Sequence, residues 1–285
     1  MDFKRAAVVG SGQMGGGIAH VLAASGMSVV LIDVKKEFLD RALAAIRGNM
    51  ERQADKGVLA RSDMEAALKR IRTSLKPEDA GEAQVAIEAV TEDLDLKKGI
   101  FSRLDAACPP EAMLATNTSS LSVTAMAAAT KRPSRVVGMH FMNPVPVMKL
   151  VEIVPGLETS EETLQAAKAL AVKLGKEPVV SKDFPGFISN RVLMPMINEA
   201  CYALMEGVAA KEDIDKVMRL GMNHPMGPLA LADFIGIDTC LYIMETLHRG
   251  FGDSKYRPCP LLRKMAEAGR LGRKAGRGFY EYPDR

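Results

Sequence analysis

The feature that most constrains this chain is Gly10-Ser11-Gly12-Gln13-Met14-Gly15. It is a GxGxxG loop set between a strand-like run, Ala6 to Val9, and a helical pattern carried by Ile18, Ala19, Val21 and Leu22. In that setting each glycine has its own task. Gly10 permits a tight turn, Gly12 lets backbone N–H groups approach a pyrophosphate, and Gly15 lets the helix pack closely on the sheet. The helix N-terminus adds partial positive charge for the phosphates. Alone the loop is a weak signal, because glycine turns also simply join strands to helices. Asp33 strengthens it, since it ends a second strand, Val29 to Asp33, about twenty residues beyond the glycines. A carboxylate there accepts hydrogen bonds from ribose hydroxyls and repels a 2′-phosphate. The pattern predicts an NAD site, and with Lys35 and Lys36 close by, NADP is disfavoured rather than excluded.

Further short apolar runs, at Ser28 to Ile32, Val85 to Val90, Met113 to Thr116 and Val136 to Met139, alternate with helical patterns. Each strand is expected to lead into a crossover helix, giving a doubly wound α/β fold with a parallel sheet. Leu39 to Ala54 and Met64 to Ile71 read as surface helices, and so does Glu161 to Leu174, ahead of a last strand at Glu177 to Ser181. Past Asp183-Phe184-Pro185-Gly186 only helical patterns follow: Phe187 to Met205, Lys211 to Leu220, Leu229 to Leu247 and Leu261 to Glu267. The expected organisation is a Rossmann-type NAD-binding domain over 1–184 and an all-α domain over 185–285. Apolar faces on Leu193 to Leu204 and Leu229 to Leu247 need more cover than the second domain provides, which predicts a homodimer.

With 47% apolar and 26% charged residues, the 285-residue chain is able to bury a substantial core. A net charge of +3 gives no reason to expect nucleic acid or an anionic membrane as partner. Cys108, Cys201, Cys240 and Cys259 lie far apart without CxxC pairs, and read as reduced thiols with no metal site. Neither a signal peptide nor an apolar run of membrane-spanning length is recognisable, so a cytoplasmic protein is expected.

Four polar residues fall where the local pattern predicts burial or a strand-end cleft. Ser119 follows the strand ending at Thr116, and His140 follows the next one. Ligands of such sheets bind at the C-terminal strand ends. Glu152, within Met148 to Val154, alternates onto the same face as Met148, Leu150 and Val154, and a carboxylate on an apolar face needs a partner such as an imidazole. Asn190 shares a helix face with Leu193, Met194 and Ile197. Each has a plain alternative: a single histidine is usually structural, and an asparagine near a helix start is usually a cap. The other histidines are weaker candidates, His20 at a helix packing position, His224 before Pro225 in a turn, and His248 at a helix end.

Taken together, Asn117-Thr118-Ser119-Ser120-Leu121, His140 to Pro146, Asp183 to Arg191, Pro225-Met226-Gly227-Pro228 and Gly272 to Tyr280 make the whole chain resemble the short-chain 3-hydroxyacyl-CoA dehydrogenase family, in particular its bacterial 3-hydroxybutyryl-CoA members. The resemblance implies that His140 is a general base, oriented by Glu152, with Ser119 and Asn190 hydrogen-bonding the reacting oxygen. It adds Gln13, Met14, Glu92, Lys97, Asn117, Asn143 and Lys274 to Gly10, Gly12, Gly15 and Asp33 as cofactor contacts. Unaided, Glu92 and Lys97 read as a solvated helix start and Lys274 as an exposed loop. For the CoA moiety of an acyl-CoA substrate it points to Ser119, Asn49, Arg52 and Lys56, with Asn49 standing where the family commonly has serine. Two readings stay beside this one: a dehydrogenase of a free 3-hydroxy acid, of the gulonate type, and a non-catalytic dinucleotide-binding protein.

Overall fold

A strand covered by helices on both faces has no polar side to show, so it reads as an unbroken apolar run. The computed structural model describes residues 3–282. Its strands are β1 (Arg5–Val9), β2 (Ser28–Ile32), β3 (Ile71–Ser74), β4 (Val85–Glu88), β5 (Met113–Thr116), β6 (Val136–Phe141), β7 (Leu150–Pro155) and β8 (Glu177–Val180). Strands β4, β5 and β6 are buried at every position, and β1 and β2 at all but the first. They form one sheet in the order β3-β2-β1-β4-β5-β6-β7-β8. The order reverses between β1 and β4, which pair in parallel, and a crevice opens at the C-terminal ends of the strands at such a switch point. Both the glycine loop after β1 and the end of β4 lie there.

Helices α1 (Gln13–Ala24), α2 (Lys36–Asp55), α3 (Arg61–Lys69), α4 (Leu94–Ala107), α5 (Val123–Ala127) and α6 (Glu161–Lys173) connect these strands. Three expectations need correction. The connection from β6 to β7 contains no helix: residues 142–149 turn the chain back, and β7 runs antiparallel to β6. Lys176 secures this turn from β8's side by donating to the carbonyls of Val145 (2.5 Å) and Met148 (2.7 Å). Met148 therefore precedes the strand and is exposed rather than sharing the face of Glu152. Ile71 does not end a helix but begins β3, an edge strand of four residues with two exposed positions, too short for its alternation to register in sequence.

The chain divides after Asp183 into two compact units. The second is all helical: α7 (Ser189–Met205), α8 (Lys211–Gly221), α9 (Pro228–Ile235), α10 (Ile237–Phe251) and α11 (Pro260–Glu267). The single helix expected over Leu229 to Leu247 is broken at Gly236, whose φ of +107° is open to glycine but strained for other residues. Met194, Ile197, Leu229, Ile243, Leu247 and Leu262 centre the core of this unit. Two buried aspartates hold its ends together. Asp215 accepts from the N–H groups of Leu229 and Ala230 at the start of α9 and from the Tyr280 hydroxyl, while Asp233 accepts from the N–H groups of Phe279 and Tyr280. The four cysteines are buried free thiols. Among the described residues no helix is long and apolar enough to cross a membrane.

Candidate active site

The glycine loop has the shape a dinucleotide requires. A Cβ on Gly10, whose φ is +98°, would lie 2.5 Å from the Ala89 carbonyl oxygen, and one on Gly15 would lie 1.8 Å from that of Gly10. A Cβ on Gly12 would meet no protein atom within 4 Å. Gly12 is thus the position that opens outward, at the N-cap of α1, where no side chain caps the first-turn N–H groups. Gln13 is exposed and Met14 half-buried in that turn. The Asp33 carboxylate accepts from the Ser11 N–H and hydroxyl, both at 2.6 Å, and from the Val34 N–H at 2.7 Å. Asp33 therefore latches the loop, and a carboxylate with about four acceptor positions retains capacity for a ribose hydroxyl. These features fit NAD. Gly12→Ala is expected to leave the melting temperature unchanged and to weaken NADH binding by about tenfold or more, read by fluorescence titration, because the methyl group occupies only the pyrophosphate's approach.

His140 on β6 and Glu152 on β7 are register partners in the antiparallel pair, so their side chains project from the same face. His140 Nδ1 and Glu152 Oε2 are 2.8 Å apart, with 8% and 1% of each residue exposed. An ionised carboxylate only accepts, so the hydrogen bond places a proton on Nδ1 and turns Nε2 away from Glu152.

Ser119 sits in the turn after β5, held from β4's side. Glu92 accepts from its N–H (2.6 Å) and hydroxyl (3.0 Å) and from the Thr118 hydroxyl. Lys97 is not the solvated residue its charge-rich neighbourhood suggests. It is 1% exposed, with Nζ 2.6 Å from Glu88 and 3.3 Å from Glu92. Glu88, the last residue of β4, is fully buried and escapes the sequence reading, although a carboxylate inside an apolar strand is the same signal that singles out Glu152. Asn117 Oδ1 accepts from the Phe141 N–H at 2.9 Å, clipping the end of β5 to that of β6. Asn143 follows β6 on the exposed turn.

Asn190 lies in the second unit, buried in the first turn of α7 on the face that carries Met194 and Ile197. Lys274 of the same unit is engaged with Asp238, Nζ to Oδ1 2.6 Å. On α2, Arg52 donates to the Asn49 side chain, and Arg52 and Lys56 are exposed. Gln53 of that helix lines a cavity of about 430 Å³ together with His20, Lys149, Lys173 and Lys176. Burial holds the His20 imidazole below its ordinary value, with Lys176 adding to the effect and a hydrogen bond with Gln53 opposing it.

An open doubly wound sheet with a dinucleotide loop, an imidazole–carboxylate pair at its strand ends and a helical second unit define an NAD-dependent dehydrogenase architecture. Comparison with known proteins narrows the class. Residues 5–184 match the model of the 3-hydroxyacyl-CoA dehydrogenase NAD-binding domain, and residues 186–282 match that of its C-terminal domain. The chain is 56% identical over 285 residues to a probable 3-hydroxybutyryl-CoA dehydrogenase of Bacillus subtilis, covering 100% of this chain and 99% of that one. It is 54% identical to the 3-hydroxybutyryl-CoA dehydrogenase of Bradyrhizobium diazoefficiens, over 98% and 95% of the two chains. The crystal structure of (S)-3-hydroxybutyryl-CoA dehydrogenase from Ralstonia eutropha superposes with a TM-score of 0.96 at 47% identity, covering 99% of this chain and 100% of that one. The chain belongs to the 3-hydroxyacyl-CoA dehydrogenase family.

Proposed function

We propose that this enzyme interconverts short (S)-3-hydroxyacyl-CoA thioesters, such as 3-hydroxybutyryl-CoA, and their 3-oxoacyl-CoA counterparts with NAD. The observation that carries the reading is the buried His140–Glu152 pair on β6 and β7, in the same sheet whose central strand β1 leads into the dinucleotide loop. Bound NAD supplies the hydride acceptor for C3. His140 Nε2 takes the proton of the C3 hydroxyl as the hydride leaves, and Glu152 stabilises the imidazolium that forms. Ser119 and Asn190 hydrogen-bond the reacting oxygen, polarising it in the reverse direction. Glu92, Lys97, Asn117, Asn143 and Lys274 join the loop and Asp33 in holding the cofactor.

For the CoA moiety, Asn49 and Arg52 on α2 and Lys56 just after it are the contacts we assign. Support comes from the neighbouring cavity, where Lys149, Lys173 and Lys176 concentrate positive charge beside Gln53 of the same helix. Residues 1–184 serve the cofactor, and residues 185–285 contribute to substrate binding and form a homodimer. The helix faces from which the sequence predicts dimerisation are largely spent on the unit's own core. Exposed Val217, Leu220 and Met222 on and after α8, with Val192 on α7, remain to be covered. Light scattering tests this. Four buried free thiols accord with a reducing cytoplasm.

The deciding experiment follows NADH absorbance with 3-hydroxybutyryl-CoA, with free 3-hydroxybutyrate, and with NADP replacing NAD. Turnover on the thioester with NAD supports the reading. Turnover on free acids alone overturns it in favour of a free-acid dehydrogenase, and silence on all substrates despite NADH binding favours a non-catalytic role.

A further inference from the structure

We propose that Glu88 is a positioning residue for the reaction: buried at the end of β4, it anchors, through Lys97 and Thr116, the 117–120 turn that presents Ser119. The catalytic part of this inference rests on the role given to Ser119 above. Glu88 holds two separate arms that converge on one turn. In the first, Glu88 Oε1 accepts from Lys97 Nζ at 2.6 Å, Lys97 reaches Glu92 Oε2 at 3.3 Å, and Glu92 Oε1 accepts from the N–H and hydroxyl of Ser119. In the second, Glu88 Oε2 accepts from the Thr116 hydroxyl at 2.8 Å, whose oxygen accepts in turn from the Thr118 N–H at 3.0 Å. Thr118 closes the circuit, because its hydroxyl donates to Glu92 and accepts from the Leu121 N–H.

The arrangement is stiff at its root and looser toward the ligand. Glu88, Lys97, Thr116 and Thr118 are all at most 1% exposed, while Glu92 and Ser119 are half-buried. Glu88 also accepts from the Val90 N–H at 2.6 Å, so its carboxylate is fixed by its own chain before it meets the others. Where buried groups are paired as Glu88, Lys97, Thr116 and Thr118 are, each alternative arrangement leaves a polar group unpaired. A misplacement of about 1 Å at a reacting group costs up to about a hundredfold in rate. A residue that never touches substrate therefore controls kcat through the turn it supports.

The test compares Glu88→Gln, Thr116→Val, Ser119→Ala and the Glu88→Gln/Ser119→Ala double variant. It measures kcat on 3-hydroxybutyryl-CoA and amide hydrogen exchange at Thr118 and Ser119. Glu88→Gln and Thr116→Val are each expected to accelerate exchange at these amides by about tenfold. Glu88→Gln is also expected to lower kcat by about tenfold, without lowering the double variant below Ser119→Ala alone. Unchanged exchange in both variants overturns the proposal whatever Ser119 does, and so does a kcat loss that multiplies fully with that of Ser119→Ala. Should Glu88→Gln fail to fold, Thr116→Val decides by the same exchange readout, since it cuts one arm and leaves the ion pair. Wild-type kcat in Ser119→Ala removes the assigned role of Ser119 and with it the catalytic half of the inference, leaving the exchange result to judge the anchoring.

Discussion

His140→Ala is expected to lower kcat on 3-hydroxybutyryl-CoA by about two orders of magnitude or more, the range set by loss of a general base. NADH affinity should stay at the wild-type value, because the ring is not among the groups that hold the cofactor. The loss falls on kcat rather than KM, since the proton moves as the hydride leaves and the interaction is gained only in the transition state. His140 is 8% exposed and bonded to the buried Glu152, so the alanine variant also loses stability, and its kcat is read at a temperature well below its melting transition. His140 lies at the end of β6, and its ring answers to Glu152 across one register position. An alanine variant that turns over at the wild-type rate would show that another group takes the C3 hydroxyl proton. One that fails to bind NADH would show that the substitution has disturbed the sheet's ligand edge as a whole.

How far this site is legible in sequence depends on how local its causes are. The dinucleotide loop is fully local: three glycines with three steric reasons, then an acidic strand end. Glu152 stands out because strand alternation places it on an apolar face, and the expected imidazole partner is His140. Glu88 presents a similar anomaly, yet it reads as part of an apolar run because its partner is hidden. Lys97 lies nine residues on, inside Glu92 to Lys98, where the charge pattern describes a solvated helix start. Only the packing of α4 against β4 removes that lysine from water, and no periodicity in its own segment records this. The same distinction explains the fold. Strands β4 to β6 announce themselves by burial on both faces, whereas edge strand β3 has too few positions to show a pattern. The break at Gly236 turns on one backbone angle that an otherwise continuous apolar helix pattern conceals. The α2 contacts for CoA sit on an exposed helix end, where mixed charge is ordinary and only resemblance suggests a ligand.

The buried pair behind Ser119 also carries the largest expected effect on stability. Lys97→Met is expected to destabilise the protein by about 3–5 kcal/mol near neutral pH, the usual result of stripping one partner from a buried ion pair. The pair itself is no great source of stability, because both ions lost their hydration on folding. Restoring neutrality in the double variant Lys97→Met/Glu88→Gln should therefore recover most of the loss. The pH dependence follows from the forces on Glu88. Burial raises its pKa above the ordinary 4.5, while Lys97 is the strongest of the influences that lower it. Without Lys97 the folded-state value rises further. A carboxylate with a raised folded pKa binds more protons in the folded than in the unfolded protein, so stability falls as pH rises from about 4.5 through the folded value. The stability deficit of Lys97→Met should thus be greatest above that value and shrink as the pH is lowered toward 4.5. It should lose this pH dependence in the double variant, where Gln replaces the titrating group. Chemical denaturation of the three proteins across that range measures it. A Lys97→Met variant as stable as wild type at neutral pH would mean that Glu88 finds water or another cation once Lys97 is gone.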